Sequence, residues 1–311
     1  MLDDPQPRRL DLTGVAGTIV CCAFWGGNAV AVKLAVPHLP PLGCAAIRFV
    51  IGLPIVAIVC LRIGHSVAVR RSFWWLLGVH GLLTAAQIGT FNWGASHSLA
   101  GRSSVFINIH PLIVAPLAWY VLGERLGGRG LAGLGAAALG VLVLLAEPLR
   151  TGGGLAGDFV VLGSGVIFAV QTIAQKKTFP LIPPTTLLFW QTVLAAPICL
   201  TYSLIFEGLD AYHFPAQAIW GVLYQGVAVS GVCFSLWLLL LRSYPAGQLA
   251  TVAFVTPLFG VGFGHFWQQD PLTPSLIASG VLVGLGIFLV ASDRTAHALP
   301  ADLALPGEDA P

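Results

Sequence analysis

Apolar residues fill this chain in long unalternating blocks, separated by brief polar or Pro- and Gly-rich punctuation. Ten blocks stand out, at approximately 12–35, 42–62, 73–94, 97–122, 130–147, 157–177, 185–206, 216–239, 246–268 and 273–291. Most are about 20 residues long, the length a helix needs to cross about 30 Å of hydrocarbon. Strands of a membrane barrel would instead alternate apolar and polar positions over about 10 residues. The connections are short: PHLPP at 37–41, GGRG at 127–130, TGGG at 151–154 and IPP at 182–184. The pattern predicts an all-α polytopic membrane protein with ten transmembrane helices. No connection can hold a soluble domain, so the work is expected inside the bilayer. Residues 1–11 and 292–311 read as polar tails.

Composition agrees with this. The chain is 56% hydrophobic and 9% charged, against about 25% charged residues in soluble domains. All six cysteines (Cys21, Cys22, Cys44, Cys60, Cys199, Cys233) fall in apolar runs without metal-ligand spacing. They read as small hydrophobes, so neither a disulfide nor a metal is expected. The first apolar run lacks a cleavage site and reads as a retained span, not a signal peptide. Lys and Arg set the orientation. With the N-terminus in the cytoplasm, Arg8, Arg9, Arg62, Arg70, Arg71, Arg125, Arg129, Lys176, Lys177, Arg242 and Arg294 lie on that side, and only Arg150 sits in an external loop. Both termini are therefore expected inside.

The chain also repeats itself. Residues 101–124, GRSSVFINIHPLIVAPLAWYVLGE, shifted by 146 become GQLATVAFVTPLFGVGFGHFWQQD at 247–270. Gly101 falls on Gly247, Pro111-Leu112 on Pro257-Leu258, and Glu124 on Asp270. Residues 25–33, WGGNAVAVK, shifted by 143 become FAVQTIAQK, which sets Asn28 on Gln171 and Lys33 on Lys176. Five spans separate the copies. Five is odd, so the halves face opposite ways, as in transporters that rock one half against the other. The expected units are 12–147 and 157–291. Pro111 and Pro257 cannot donate to the carbonyls of Ile107 and Ala253, which predicts a kink in each copy and a freed carbonyl to be satisfied by protein or water.

On WGGNAVAVK, the G…P…LGERL of the fourth span and its second copy ending in QQDPL, the chain resembles the drug/metabolite transporter superfamily, EamA type, over about 12–291. Within it the chain is most similar to the YddG-type exporters of aromatic and other neutral amino acids. The resemblance implies a ten-span transporter of two inverted five-helix repeats in a bacterial inner membrane. Its second acid is Asp270 where the family usually has Glu.

Ionisable groups inside spans are functional candidates. All thirteen acids lie in tails, loops or span ends. An acid-free midplane argues against cation-driven transport and against cationic substrates, and so for a uniporter or exchanger. Lys33, Arg48 and Arg102 are candidates to attract a carboxylate at the outer mouth, although Lys33 and Arg102 can also merely snorkel. The span middles supply the candidate substrate-binding groups: Trp25, Asn28, His80, Thr84, Gln87, Asn108, Phe168, Gln171 and Tyr224. His80, Thr84 and Gln87 project from one helical face. Asn28 and Gln171 can equally serve as interhelical glue. Trp74, Trp75, Trp119, Trp220 and Trp267 read as an interfacial belt, and Trp25, Trp93, Trp190 and Trp237 as deeper.

The expected function is export of small neutral metabolites, amino acids above all, by alternating access between the repeats. Sugar phosphates, nucleosides or drugs are the alternative substrates. An intramembrane enzyme is disfavoured, because the chain has no midplane carboxylate, HExxH, paired acids or G-x-S-x-G. A small-molecule substrate and the bilayer are the expected partners of a monomer, with no nucleic acid and no cofactor.

Overall fold

The computed structural model describes residues 10–123, 127–151, 155–253 and 255–291. Glu124 and both tails beyond these bounds lie outside the described residues. Helices make up all the regular structure described. They are α1 (Leu12–Ala35), α2 (Pro41–Arg62), α3 (Trp74–Ser96), α4 (Ala100–Ile107), α5 (His110–Leu122), α6 (Gly128–Thr151), α7 (Leu155–Thr178), α8 (Pro184–Phe206), α9 (Ala216–Leu223), α10 (Phe234–Ser243), α11 (Ala246–Ala253), α12 (Thr256–Gln268) and α13 (Pro274–Ala291). A π-helical stretch, Tyr224–Cys233, fuses α9 to α10. With α4–α5, α9–α10 and α11–α12 each taken as one interrupted rod, the described residues form ten rods, matching the ten apolar blocks.

Leu12–Ala35, Pro41–Arg62, Ala100–Leu122, Leu155–Thr178, Pro184–Phe206 and Ala216–Ser243 are each long and apolar enough to cross a membrane. α3 has the length but is less apolar, because His80, Thr84, Gln87, Thr90 and Asn92 interrupt it. The flanks punctuate as physical chemistry requires. Pro41 and Pro184 open α2 and α8 at the first turn, where a missing N–H does no harm. Gly123 ends α5 in the left-handed conformation at φ 71°.

The packing is two-fold in pattern. α6 lies along α13 and α2 along α8, each on its own counterpart in the other half, and α4 packs on α12 as α11 packs on α5. α3 packs on α7 as the α9–α10 rod packs on α1, and α5 packs on α7 as α12 packs on α1. The halves are thus interlocked rather than laid side by side. The largest apolar cluster draws Cys21 from α1, Val114 from α5, Leu188 from α8, Trp237 from α10 and Leu249 from α11. The six cysteines are buried free thiols, and five of the nine tryptophans, Trp74, Trp75, Trp119, Trp220 and Trp267, are half or more exposed, at the rod ends.

Both prolines sit just inside the second half of a broken rod. The freed carbonyls are met by the side chain preceding each proline: His110 Nδ1 lies 3.4 Å from the Ile107 carbonyl, and Thr256 Oγ1 donates to the Ala253 carbonyl at 2.7 Å. His110 and Thr256 are 146 residues apart, so the same device recurs in both repeats. The kinks expected from Pro111 and Pro257 are full interruptions, and protein atoms supply the partners.

Candidate functional site

The central cavity lies between the repeats. Trp25 and Asn28 from α1, Arg48 from α2, Gln87, Ile88 and Phe91 from α3, Ile107, Asn108 and His110 at the α4–α5 break, Phe168 from α7, Val229 from the π stretch, Phe234 from α10 and Thr256 at the head of α12 line it. Its volume is about 50 Å³. That is room for a few waters, at about 10–15 Å³ each.

Close helix packing builds its floor. A Cβ on Gly52 would meet Ser230 Cβ at 2.8 Å and the Gly226 carbonyl at 2.9 Å. Any side chain at Gly52 would therefore push the π stretch away from α2. This approach brings Ser230 to Arg48, whose Nε donates to Ser230 Oγ at 2.8 Å. Arg48 Nη1 reaches Asn28 Oδ1 at 3.5 Å, and Nη2 has no partner. The guanidinium lies 5.8 Å from the centre of the Phe234 ring and is fully buried. Among the described residues, no carboxylate lines the cavity.

An aromatic wall faces this cation. Trp25 meets Phe168 edge-on at 5.7 Å, Trp237 at 5.0 Å and Phe234 at 6.3 Å, and His110 lies 4.6 Å from Phe168. Asn108 Nδ2 donates to the Ser104 carbonyl at 2.6 Å, leaving Oδ1 without a partner, and His110 Nε2 also has none.

Of the residues singled out from sequence, Trp25, Asn28, Gln87, Asn108 and Phe168 come together at this cavity. The polar face of α3 is for the most part a seam to α7. His80 Nε2 pairs with Thr178 Oγ1 at 3.0 Å, Gln171 Nε2 donates to Thr84 Oγ1 at 2.8 Å, and Gln87 Nε2 donates to Ser164 Oγ at 3.1 Å. Three cross-repeat bonds at successive turns hold the halves in register. Thr84, Gln87 and Gln171 also line a second, smaller void beside the central one, with Gln175 and Gln191. Tyr224 lies elsewhere. Its hydroxyl donates to the Phe24 carbonyl at 3.0 Å, and its ring lines an apolar groove of about 600 Å³ between α1, α9 and α12. Of the tryptophans read as deep, Trp25 and Trp237 join the aromatic wall. Trp93 is 38% exposed and stacks on His97, and Trp190 donates to the Val67 carbonyl.

The three basic groups do not share a site. Lys33 Nζ donates to the Ser96 carbonyl at 3.2 Å. Arg102 forms an ion pair with Asp158, which also accepts from the Ser98 hydroxyl. Arg48 alone faces the central cavity, because it lies about two turns into α2 and turns toward α1 and the π stretch. The sequence reading of an uncharged pocket with Arg48 at the mouth gives way to a pocket containing one cation. His110 and Thr256 are the lining polar groups that the site prediction omitted, and Ser230 is the omitted residue that holds the Arg48 guanidinium. The i, i+3 and i+4 spacing of α3 gave its polar face, but no sequence signal marks the π stretch that turns Ser230 inward. Asp270, the repeat counterpart of Glu124, accepts from the Gly101 N–H at 2.8 Å and so caps α4 from the end of α12.

The profile of the EamA-like transporter family matches residues 12–146 and again 155–292. The chain is 22% identical to the uncharacterized transporter YoaV of Bacillus subtilis, over 88% of this chain and 94% of that one. It is 24% identical to a probable amino-acid metabolite efflux pump of Salmonella typhimurium, over 87% of this chain and 92% of the relative. A pump of the same description from Escherichia coli is 25% identical over 89% and 93%. A solved crystal structure superposes with a TM-score of 0.73 at 18% identity, covering 91% of this chain and 96% of the other, and so shares the fold.

Proposed function

The chain belongs to the EamA-like transporter family, and on that premise we propose that it exports small neutral metabolites, amino acids first among them, through the central cavity by alternating access. It is an integral membrane transporter and not an enzyme. The finer reading rests on one observation. A cavity between the two repeats is lined by aromatic rings and fixed polar groups, with no carboxylate among the described residues to bind a driving cation. Uniport or exchange without obligatory proton or sodium coupling is the mechanism this chemistry favours. The names of the Salmonella typhimurium and Escherichia coli relatives support amino acids as the substrate class. Apolar walls discriminate weakly, by about 1–3 kcal/mol per methylene, so a broad range of side chains is expected. We assign the protein to the bacterial inner membrane with both termini cytoplasmic, working as a monomer on substrates drawn from the aqueous phase.

The test is flux from proteoliposomes loaded with a panel of labelled amino acids, sugar phosphates and nucleosides. Neutral amino acids are expected to run down their own gradients at rates unchanged by an imposed proton or sodium gradient. Uphill accumulation driven by either ion alone would contradict the uncoupled mechanism. Movement confined to sugar phosphates or nucleosides would replace the substrate class.

A further inference from the structure

We infer that Arg48 is the carboxylate anchor of this transporter, and that a free carboxylate is the feature every good substrate must carry. The inference rests on the reading that substrate passes through the central cavity.

The guanidinium is a permanent cation with five N–H donors and no acceptor. Here it is fully buried, and its recorded bonds engage only Nε and, at 3.5 Å, Nη1. Nη2 has no partner. Both groups it touches, Ser230 and Asn28, are neutral. A buried unpaired charge is costly, and the Phe234 face, 5.8 Å away, offsets only part of that cost. Arg102, by contrast, has Asp158. An arginine held in such a place without an acid lacks the partner its fork geometry fits best, a bidentate carboxylate.

The same cavity supplies the complement. Asn108 commits its amide nitrogen to the Ser104 carbonyl, so its free atom is the acceptor Oδ1. The Ile107 carbonyl can only accept, so His110 Nδ1 must carry the proton there. Nε2 of the neutral ring is then a second free acceptor. One fixed cation and two fixed acceptors on the same cavity match the carboxylate and ammonium of an α-amino acid, with Trp25 and Phe168 against its side chain.

Counterflow of labelled L-phenylalanine into loaded proteoliposomes tests this on the unaltered protein. The competitors are L-phenylalanine, 3-phenylpropionate (no ammonium), L-phenylalaninamide and phenethylamine (neither bearing a carboxylate). Both carboxylates are expected to compete, the zwitterion better. The amide and the amine should be weaker by about 30-fold or more, as expected when one partner of a buried charge pair is missing. Ligand-induced shifts in melting temperature, read in detergent, should give the same order without relying on flux. Arg48→Gln, where it remains monodisperse, should lose the discrimination between acid and amide, and Arg48→Lys should keep part of it. Amide or amine competing within about threefold of the amino acid would overturn this inference alone and leave amino-acid transport standing. A protein that moves and is stabilised by amines or nucleosides, and by no carboxylate, would overturn both.

Discussion

Asp11 does two things at the start of α1. Its Oδ1 accepts from the Gly14 N–H at 2.8 Å as a helix cap, and from the Tyr244 hydroxyl at 2.7 Å as a tie to the other half. These donors, the Gly14 amide foremost, hold its carboxyl below the ordinary value of 3.8. A depressed folded pKa contributes stability above the unfolded pKa, and that contribution is lost as pH falls through the folded one. Asp11→Asn keeps a capping oxygen but not the charge. It should melt lower than the unaltered protein near pH 7, and the gap should close as pH falls below 3.8. Asp11→Ala should melt lower still at both ends of that range. Melting temperatures in detergent check this, and a gap that widens toward acid would contradict it. At this scale the sequence was legible for residue type and depth but not for facing. Trp25, Asn28 and Asn108 could be placed near mid-span by counting. Arg48 could be set apart from Lys33 and Arg102, which can snorkel, but could not be placed on the cavity, because its facing depends on what α2 packs against. Tyr224 was misleading for the same reason: its depth is right, but its ring turns outward beside Trp220.

The rods themselves were the most readable level, because membrane-length apolar runs bounded by Pro and Gly leave few alternatives. The π stretch was not readable, since residues 224–233 have ordinary helical composition and the extra residue per turn follows from packing against α2. The repeat then reveals a device that a single rod would hide. At one end Ser98 and Arg102 hold Asp158; at the other Tyr244 and Gln248 hold Asp11 and the Leu10 N–H. Ser98 and Tyr244 are 146 residues apart, as are Arg102 and Gln248. Both ends are thus latched across the halves, one by an ion pair and one by the hydrogen bonds of Tyr244 and Gln248. Breaking a buried ion pair from one side costs about 3–5 kcal/mol, somewhat less here because the Arg102 side chain is 13% exposed. Asp158→Asn should therefore destabilise strongly. The double change Arg102→Gln with Asp158→Asn, which replaces the ion pair with a neutral amide pair, should recover most of the loss. A double-mutant cycle in detergent reads this coupling, and simple additivity of the two losses would contradict the latch.

At the scale of the molecule, two interlocked halves meet along the α3–α7 seam, the α2–α8 and α6–α13 contacts, and a central cavity of about 50 Å³. Ligand pockets usually span about 300–1,000 Å³, so this arrangement must open to admit a metabolite. In the proposed alternating access, rocking about contacts that are matched in both repeats would open one end as it closes the other. The two larger grooves, lined by Tyr224 and Trp267 and by Trp93 and Tyr202, are apolar and face outward, where acyl chains rather than metabolites are the natural neighbours. The proposed route takes substrate between the halves and not along those grooves. Val229 and Val227 separate the two routes within one stretch of helix. Val229 is 1% exposed and lines the cavity, while Val227 is 42% exposed and lines the outer groove. The most direct measurement is counterflow through Val229→Phe and Val227→Phe at matched protein levels, each checked for a single elution peak and a melting temperature near that of the unaltered protein. The account predicts that Val229→Phe loses at least about tenfold in flux, about 1.4 kcal/mol in the barrier, while Val227→Phe transports normally; normal flux through Val229→Phe with loss through Val227→Phe would contradict it.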